Sequence, residues 1–202
     1  MTLKVRFYFL LNLLAAGFWF LTSCASINET VSAGAKGSVK VFDLEGRGLE
    51  LMNGSPARPA VFIFVRTDCP ISNRYAPEVQ RLASRFKSDG LQFFLVYPDP
   101  DEAPAAIRKH LQDFNYSLEA LRDPQHALVK KAKAQVTPEA AVFSATGRLL
   151  YHGRIDNRYV DFGRDRPEAT EHDLENVLLA ISEGKTSRFV SKPAIGCYIT
   201  QP

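Results

Sequence analysis

Two largely apolar runs, residues 60–66 and 91–97, flank a segment whose apolar residues recur at helical spacing. Runs this short and this rich in Val, Ile and Phe read as strands buried on both faces, the signature of a parallel sheet. Between them Val79, Leu82, Ala83 and Phe86 share one face of a helix expected from about Tyr75 to Lys87. Parallel neighbours need a crossover connection, so the segment is a strand–helix–strand unit and the chain belongs to the α/β class. Around this unit VKVFDLEGRGLELMN alternates about Glu45-Gly46-Arg47-Gly48 like a hairpin, and AAVFSATGRLLYHGRI reads as another turned by Ala145-Thr146-Gly147. From Pro98 to Lys133 the pattern is helical in patches: Pro104 suits a first turn, with Ala106, Ile107, His110, Leu111 and Phe114 behind it, and a second patch runs from Asp123 through Ala127, Leu128 and Lys131. A final helix opens at Thr170-Glu171-His172-Asp173 with a threonine cap and stops at Gly184.

The first apolar run ends in VFIFVRTDCPISNRYAPE, which sets Cys69 at a strand-to-helix switch. The first turn of a helix has unpaired N–H groups and the positive end of the macrodipole, so a thiolate there is stabilised and nucleophilic. The plain alternative is a small buried hydrophobe, the usual use of cysteine in a core. Asp68 opposes activation, because a neighbouring negative charge raises a thiol pKa. Thr67 and Ser72 are candidate hydrogen-bond donors to the sulfur, or caps of the helix.

With these motifs, residues 38–185 resemble the thioredoxin-like superfamily, and within it the redoxins of the AhpC/TSA type, related to peroxiredoxins and to membrane-tethered thiol-disulfide proteins. The parts that carry the resemblance are TDCPIS, the helix after it, LQFFLVYPD, and VTPEAAVF after a helical stretch. The resemblance implies a three-layer α/β/α sandwich on a central mixed sheet. It also implies a redoxin-type insertion before the third motif, and a cis-proline at Pro138 facing the active cysteine. Two departures are visible. Cys69-Pro70-Ile71-Ser72 stands where a dithiol enzyme has Cys-x-x-Cys, and Thr67 and Phe62 stand out of step with the threonine and proline that precede a peroxidatic cysteine. A lone thiolate stops at a mixed disulfide. Cys197, in KPAIGCYITQP after the last helix, is a candidate resolving thiol by analogy with peroxiredoxins that use a C-terminal cysteine; an intermolecular thiol, a metal ligand and an inert tail residue are the other readings.

The N-terminus, MTLKVRFYFLLNLLAAGFWFLTSC, has Lys4 and Arg6 before an uncharged apolar run from Phe7 to Leu21. That is the pattern of a secretory signal peptide over residues 1–23, and Leu21-Thr22-Ser23-Cys24 resembles a bacterial lipobox with Cys24 as the lipidated residue. An uncleaved anchor is the other reading. The expectation is an extracytoplasmic, membrane-anchored lipoprotein, with residues 24–38 as a small polar tether, the domain at 39–185 and a C-terminal tail at 186–202. Without the signal, 23 basic residues face 22 acidic ones with no basic stripe, so nucleic acid is not expected as a partner.

The four histidines, His110, His126, His152 and His172, stand singly with no ligand spacing, so neither a metal nor a cofactor is expected. The loop GRIDNRYVDFGRDRPEAT is dense in charge and reads either as a docking surface or as a solvated loop held by local ion pairs. Arg154 is its candidate electropositive neighbour of Cys69. The function read from these features is a thiol oxidoreductase or antioxidant-type protein. Cys69 attacks a protein disulfide or a peroxide, Pro138 shapes the substrate-facing wall, and Cys197 or an external thiol reductant completes the cycle. The alternatives are a non-catalytic binding module on the same fold and a metal-handling protein.

Overall fold

The computed structural model describes residues 38–52 and 58–200. The expected signal peptide, Cys24 and nearly all of the tether lie outside the described residues. No helix among the described residues is long and apolar enough to cross a membrane.

The chain opens with the antiparallel pair β1 (Val39–Phe42) and β2 (Gly48–Leu51). Its turn is organised by the Asp43 carboxylate, which accepts the N–H groups of Glu45 and Arg47 at 3.0 and 2.8 Å, and Gly46 takes the φ of +81° that the turn requires. β3 (Ala60–Phe64) leads through residues 65–69 into α1 (Pro70–Arg74) and α2 (Ala76–Phe86), and β4 (Gln92–Tyr97) returns parallel to β3. The expected single helix is therefore two. Pro77 has no N–H to offer the Asn73 carbonyl and its ring crowds that carbonyl, so the helix breaks at Tyr75.

Then follow α3 (Pro104–Asp113), β5 (Glu119–Arg122), α4 (Ala127–Ala132), β6 (Val136–Thr137), β7 (Glu139–Phe143) and β8 (Leu149–Gly153). The chain closes with β9 (Tyr159–Asp161), β10 (Arg164–Asp165), α5 (Asp173–Ser182) and β11 (Cys197–Tyr198). The central mixed sheet has the order β2-β1-β5-β4-β3-β7-β8, with β3, β4 and β5 parallel. Side chains alternate across it. Val61, Ile63 and Val65 enter a core shared with α1, α2, α3 and α5, whereas Phe62 and Phe64 enter a second core shared with α4. Both faces are covered, which is why the strands read as continuous apolar runs. This is the three-layer α/β/α arrangement expected from the resemblance, and the segment from Pro98 to Lys133 expected as its insertion holds α3, β5 and α4.

Three local expectations are corrected. The stretch from Pro98 to Lys133, expected to be helical in patches, also holds the strand β5 between the two patches: EALR has little intrinsic strand preference, and it is a strand because β4 on one side and β1 on the other supply its ladder partners. Ala106 faces solvent, while Ile107 and His110 are the buried positions of α3. Thr170 does not cap α5. Its hydroxyl accepts a hydrogen bond from Asn157 Nδ2 at 2.8 Å, and His172 stands at the cap without a side-chain bond.

The packing makes one stability prediction. Phe86 is 1% exposed, on the α2 face pressed to the sheet, and Phe86→Ala is expected to destabilise the domain by about 3–5 kcal/mol through lost burial and the cavity left. A urea midpoint indistinguishable from that of the parent protein overturns this.

Candidate active site

Cys69 is the N-cap residue of α1, with extended backbone (φ −87°, ψ 108°). Pro70 starts the helix at a position where a missing N–H costs nothing, and the Ser72 N–H turns back to Cys69 Sγ at 3.5 Å. The sulfur is fully buried and donates to the Thr137 carbonyl at 3.1 Å. The Thr137–Pro138 peptide bond is cis, and Pro138 is buried beside this contact.

The second thiol arrives from the other end of the chain. β11 pairs antiparallel with β6, matching Cys197 to Thr137 and Tyr198 to Val136, and the Ile199 N–H bonds to the Gln135 carbonyl at 2.9 Å. Cys197 Sγ then lies 2.7 Å from Cys69 Sγ, both as free thiols. The tail is docked along its length. Phe189 N–H bonds to the Leu150 carbonyl at 2.8 Å, Arg154 N–H to the Lys192 carbonyl at 3.0 Å, and Ile199 is buried in the second core. Two glycines permit the approach: a Cβ on Gly196 would stand 2.1 Å from the Thr137 carbonyl oxygen, and one on Gly153 2.4 Å from the Lys192 oxygen.

The two thiols are electrostatically unlike. Burial alone pushes the Cys69 pKa up, but hydrogen bonds from the Cys197 thiol and from Ser72 outweigh it and hold the pKa below the ordinary thiol value. Cys197 is pushed up to about 12 by burial and by the competing claim of Cys69 on the same proton. Of the two thiols, Cys69 is therefore the more readily ionised. Cys69 alkylation is accordingly expected to rise with pH at a lower midpoint than that of Cys197; coincident profiles in peptide-resolved labelling would contradict this.

Among the other expected site residues, Ser72 is buried with its hydroxyl unpartnered by ordinary geometry, yet close enough to favour the Cys69 anion. Thr67 turns elsewhere. Its N–H bonds to Glu102 Oε1 at 2.7 Å and its carbonyl accepts from Asn73 Nδ2 at 3.1 Å. Arg154 is not the cation of the site. Its Nε bonds to Asp173 at 2.6 Å and its Nη2 to Glu171 at 2.5 Å, an ion-pair cluster that also takes in Lys192. A cation that does act on the site is Arg66, whose charge favours the Cys197 anion and which pairs with Asp68 and Asp99 at 3.0 and 3.2 Å. Asp68 acts in the expected direction, but on Cys197. Arg66, Asn73 and Glu102 were not picked out from the sequence. The available signal was a polar asparagine four residues after Cys69 and a charge at the very end of a buried strand.

The charged loop is fastened to the helices that follow Cys69. Tyr75 Oη donates to Asp156 at 2.5 Å, Arg74 reaches Asp165 at 3.4 Å, and the Asn157 side chain binds Thr170 and Glu171. It contains the hairpin β9–β10, with Phe162 exposed at its turn. Among the described residues, Glu78, His172 and Glu175 converge within 4.8 Å, but their carboxylates already bind Arg81, and Glu175 also binds Arg85.

Comparison with known proteins agrees with this architecture. A hypothetical protein of Sinorhizobium meliloti superposes with a TM-score of 0.67 at 21% identity, covering 82% of this chain and 91% of that one. An uncharacterized conserved protein of Geobacillus kaustophilus gives 0.70 at 22% identity, covering 82% and 89%. The thioredoxin domain of a thiol-disulfide oxidoreductase from Bacteroides vulgatus gives 0.52 at 14% identity, covering 72% and 93%. At these identities the likeness is one of fold, the thioredoxin-like fold. None of the curated proteins compared with the chain matches it. The sequence profile of the AhpC/TSA family matches residues 35–152, which contain Cys69, the insertion and Pro138, and because this is more than half of the chain, the protein belongs to the AhpC/TSA family.

Proposed function

We propose that this protein is a thiol-disulfide oxidoreductase in which Cys69 is the nucleophile and Cys197 the resolving thiol. The observation that carries the reading is the 2.7 Å approach of Cys197 Sγ to Cys69 Sγ, built by a strand pairing rather than by chance contact of a loose tail. The Cys69 thiolate attacks one sulfur of a protein disulfide, forming a mixed disulfide and expelling the other sulfur as a thiolate. Cys197 then gives up its proton and attacks Cys69 Sγ. This releases the substrate as a dithiol and leaves a Cys69–Cys197 disulfide, and an external dithiol reduces that disulfide to close the cycle. Cys69 is fully covered while the tail is docked, so the tail lifts before a protein substrate reaches it.

A peroxide is the smaller electrophile for the same thiolate. Attack on the O–O bond gives a sulfenic acid and water or an alcohol, and Cys197 condenses with the sulfenic acid to the same disulfide with loss of water. The compartment is proposed from the N-terminal pattern: Cys24 carries a lipid, and the domain works outside the cytoplasm, tethered to a membrane, where a disulfide persists.

Intact and peptide mass spectrometry of the full chain tests the reading after a stoichiometric pulse of a disulfide or of a peroxide. A loss of two hydrogens, reversed by reductant, with the Cys69 and Cys197 peptides joined is the expected result. Two thiols that stay reduced and unlinked under both pulses sink the proposal and favour the binding-module reading.

A further inference from the structure

We infer that His110, on α3, is a positioning residue for Cys69, acting through Asn73 and the Thr67 peptide group. The inference rests on the reading of Cys69 as the nucleophile. Asn73 follows Cys69 by four residues, and its N–H bonds to the Cys69 carbonyl at 3.0 Å. Its side-chain Nδ2 reaches back over the cysteine to the Thr67 carbonyl at 3.1 Å, which leaves Oδ1 as an acceptor facing His110 Nε2 at 2.8 Å. The imidazole therefore carries its proton on Nε2. Its bare Nδ1 accepts from Tyr97 Oη at 2.9 Å.

The result is a one-way chain of donors, Tyr97 to His110 to Asn73 to the Thr67 carbonyl, ending two residues before the sulfur. Tyr97 is fully buried and His110 is 4% exposed, against the rings of Phe114 and Tyr116. Burial disfavours the imidazolium, against a weaker opposing pull from Asp113, and so keeps the ring in the neutral form that the chain needs. The other side of the same peptide is held as well, since Glu102 Oε1 takes the Thr67 N–H at 2.7 Å. Both anchors belong to the inserted segment, Glu102 just ahead of α3 and His110 within it.

This matters because α1 has only five residues and cannot stand alone as a helix. The bracket from Thr67 to Asn73 fixes both chain ends around Cys69, and thereby fixes the aim of the Ser72 N–H and hydroxyl at the sulfur. A histidine that merely filled the core would do its work through ring packing. The two roles separate by substitution. Phenylalanine keeps the packing and loses both hydrogen bonds, whereas glutamine can place an amide N–H near the Nε2 position and keep the bond to Asn73.

The experiment is the pH profile of Cys69 alkylation in the reduced full chain, with peptide mass spectrometry separating Cys69 from Cys24 and Cys197. The midpoint is read rather than the absolute rate, so that tail opening cancels. His110→Phe is expected to raise the midpoint by about one pH unit, a roughly tenfold loss of thiolate at neutral pH, and His110→Gln to stay close to the parent. Asn73→Ala, which leaves the core untouched, is expected to shift as His110→Phe does and serves if the latter fails to fold. An unmoved midpoint in Asn73→Ala, or a glutamine variant shifted as far as phenylalanine, overturns the inference. Failure of the redox reading is distinguishable. Then no Cys69–Cys197 link forms in the parent, while the midpoints still move.

Discussion

Cys69→Ser is expected to abolish disulfide reduction, lowering the rate by about a thousandfold or more, because a serine hydroxyl does not ionise near neutral pH even at a helix start. The surrounding donors stay in place: the Ser72 N–H still points at residue 69, and Cys197 still arrives on β11. What disappears is the anion, since Cys197, with its pKa pushed up to about 12, is a poor substitute nucleophile. Cys197→Ser is the complementary case. It keeps the first attack and loses the second, so a disulfide probe such as oxidised glutathione should accumulate as a mixed disulfide on Cys69. The measurement is the rate of probe reduction together with the mass of the trapped species. If Cys69→Ser retains the parent rate, or if it loses turnover while Cys197→Ser turns over normally, the assigned roles are wrong. A partner protein held equally well by the parent and Cys69→Ser would instead support the binding-module reading.

Gly196→Ala should detach the tail. The added Cβ would lie 2.1 Å from the Thr137 oxygen, 2.6 Å from its carbonyl carbon and 3.1 Å from Pro138 N, all backbone atoms that cannot swing aside. β11 then cannot keep its register on β6, and Cys197 leaves Cys69. Three consequences follow together. Cys69 becomes accessible and alkylates faster, and the Cys69–Cys197 disulfide forms more slowly, each by about tenfold. Stability falls by about 1.5–3 kcal/mol as Ile199 leaves the second core. Amide exchange at Ile199, whose N–H bonds to the Gln135 carbonyl across this pairing, should rise in step. Wild-type disulfide formation with unchanged exchange in Gly196→Ala is the outcome that removes the docked strand from the mechanism.

These expectations depend on parts of the molecule that were unevenly legible. β3, β4 and α2 were plain in the sequence because both faces of the sheet are covered and α2 buries a single stripe, so the hydrophobic pattern carries the whole signal. The two hairpins were plain because turn residues mark them, as with Gly46 and Gly147 at positive φ. β5 was not, because its partners lie far away in sequence and a four-residue strand has no room for a pattern. The break at Tyr75 is encoded in Pro77, but the helical spacing of Val79 to Phe86 fits one continuous helix equally well. Arg154 was assigned to Cys69 on the grounds of a shared sheet. It is held instead by Asp173 and Glu171, whose place beside it depends on how α5 folds back.

The local sequence by itself determined that a cysteine would cap a helix at the end of a buried strand, since strand pattern, Pro70 and helix pattern are all encoded within a few residues of Cys69. Local chemistry also determined the thiolate-favouring part of the site, the Ser72 N–H aimed at Sγ. What only the tertiary structure decided is everything that reaches Cys69 from a distance. That is the 2.7 Å approach of Cys197 across 128 residues of chain, the Thr137 carbonyl beneath the sulfur, and the His110 and Glu102 contacts that hold Thr67. The physical reason is that a backbone hydrogen-bond ladder, such as that between β6 and β11, depends on register and close approach. Both are set by how the rest of the core packs and leave almost no trace in residue type beyond a single permissive glycine.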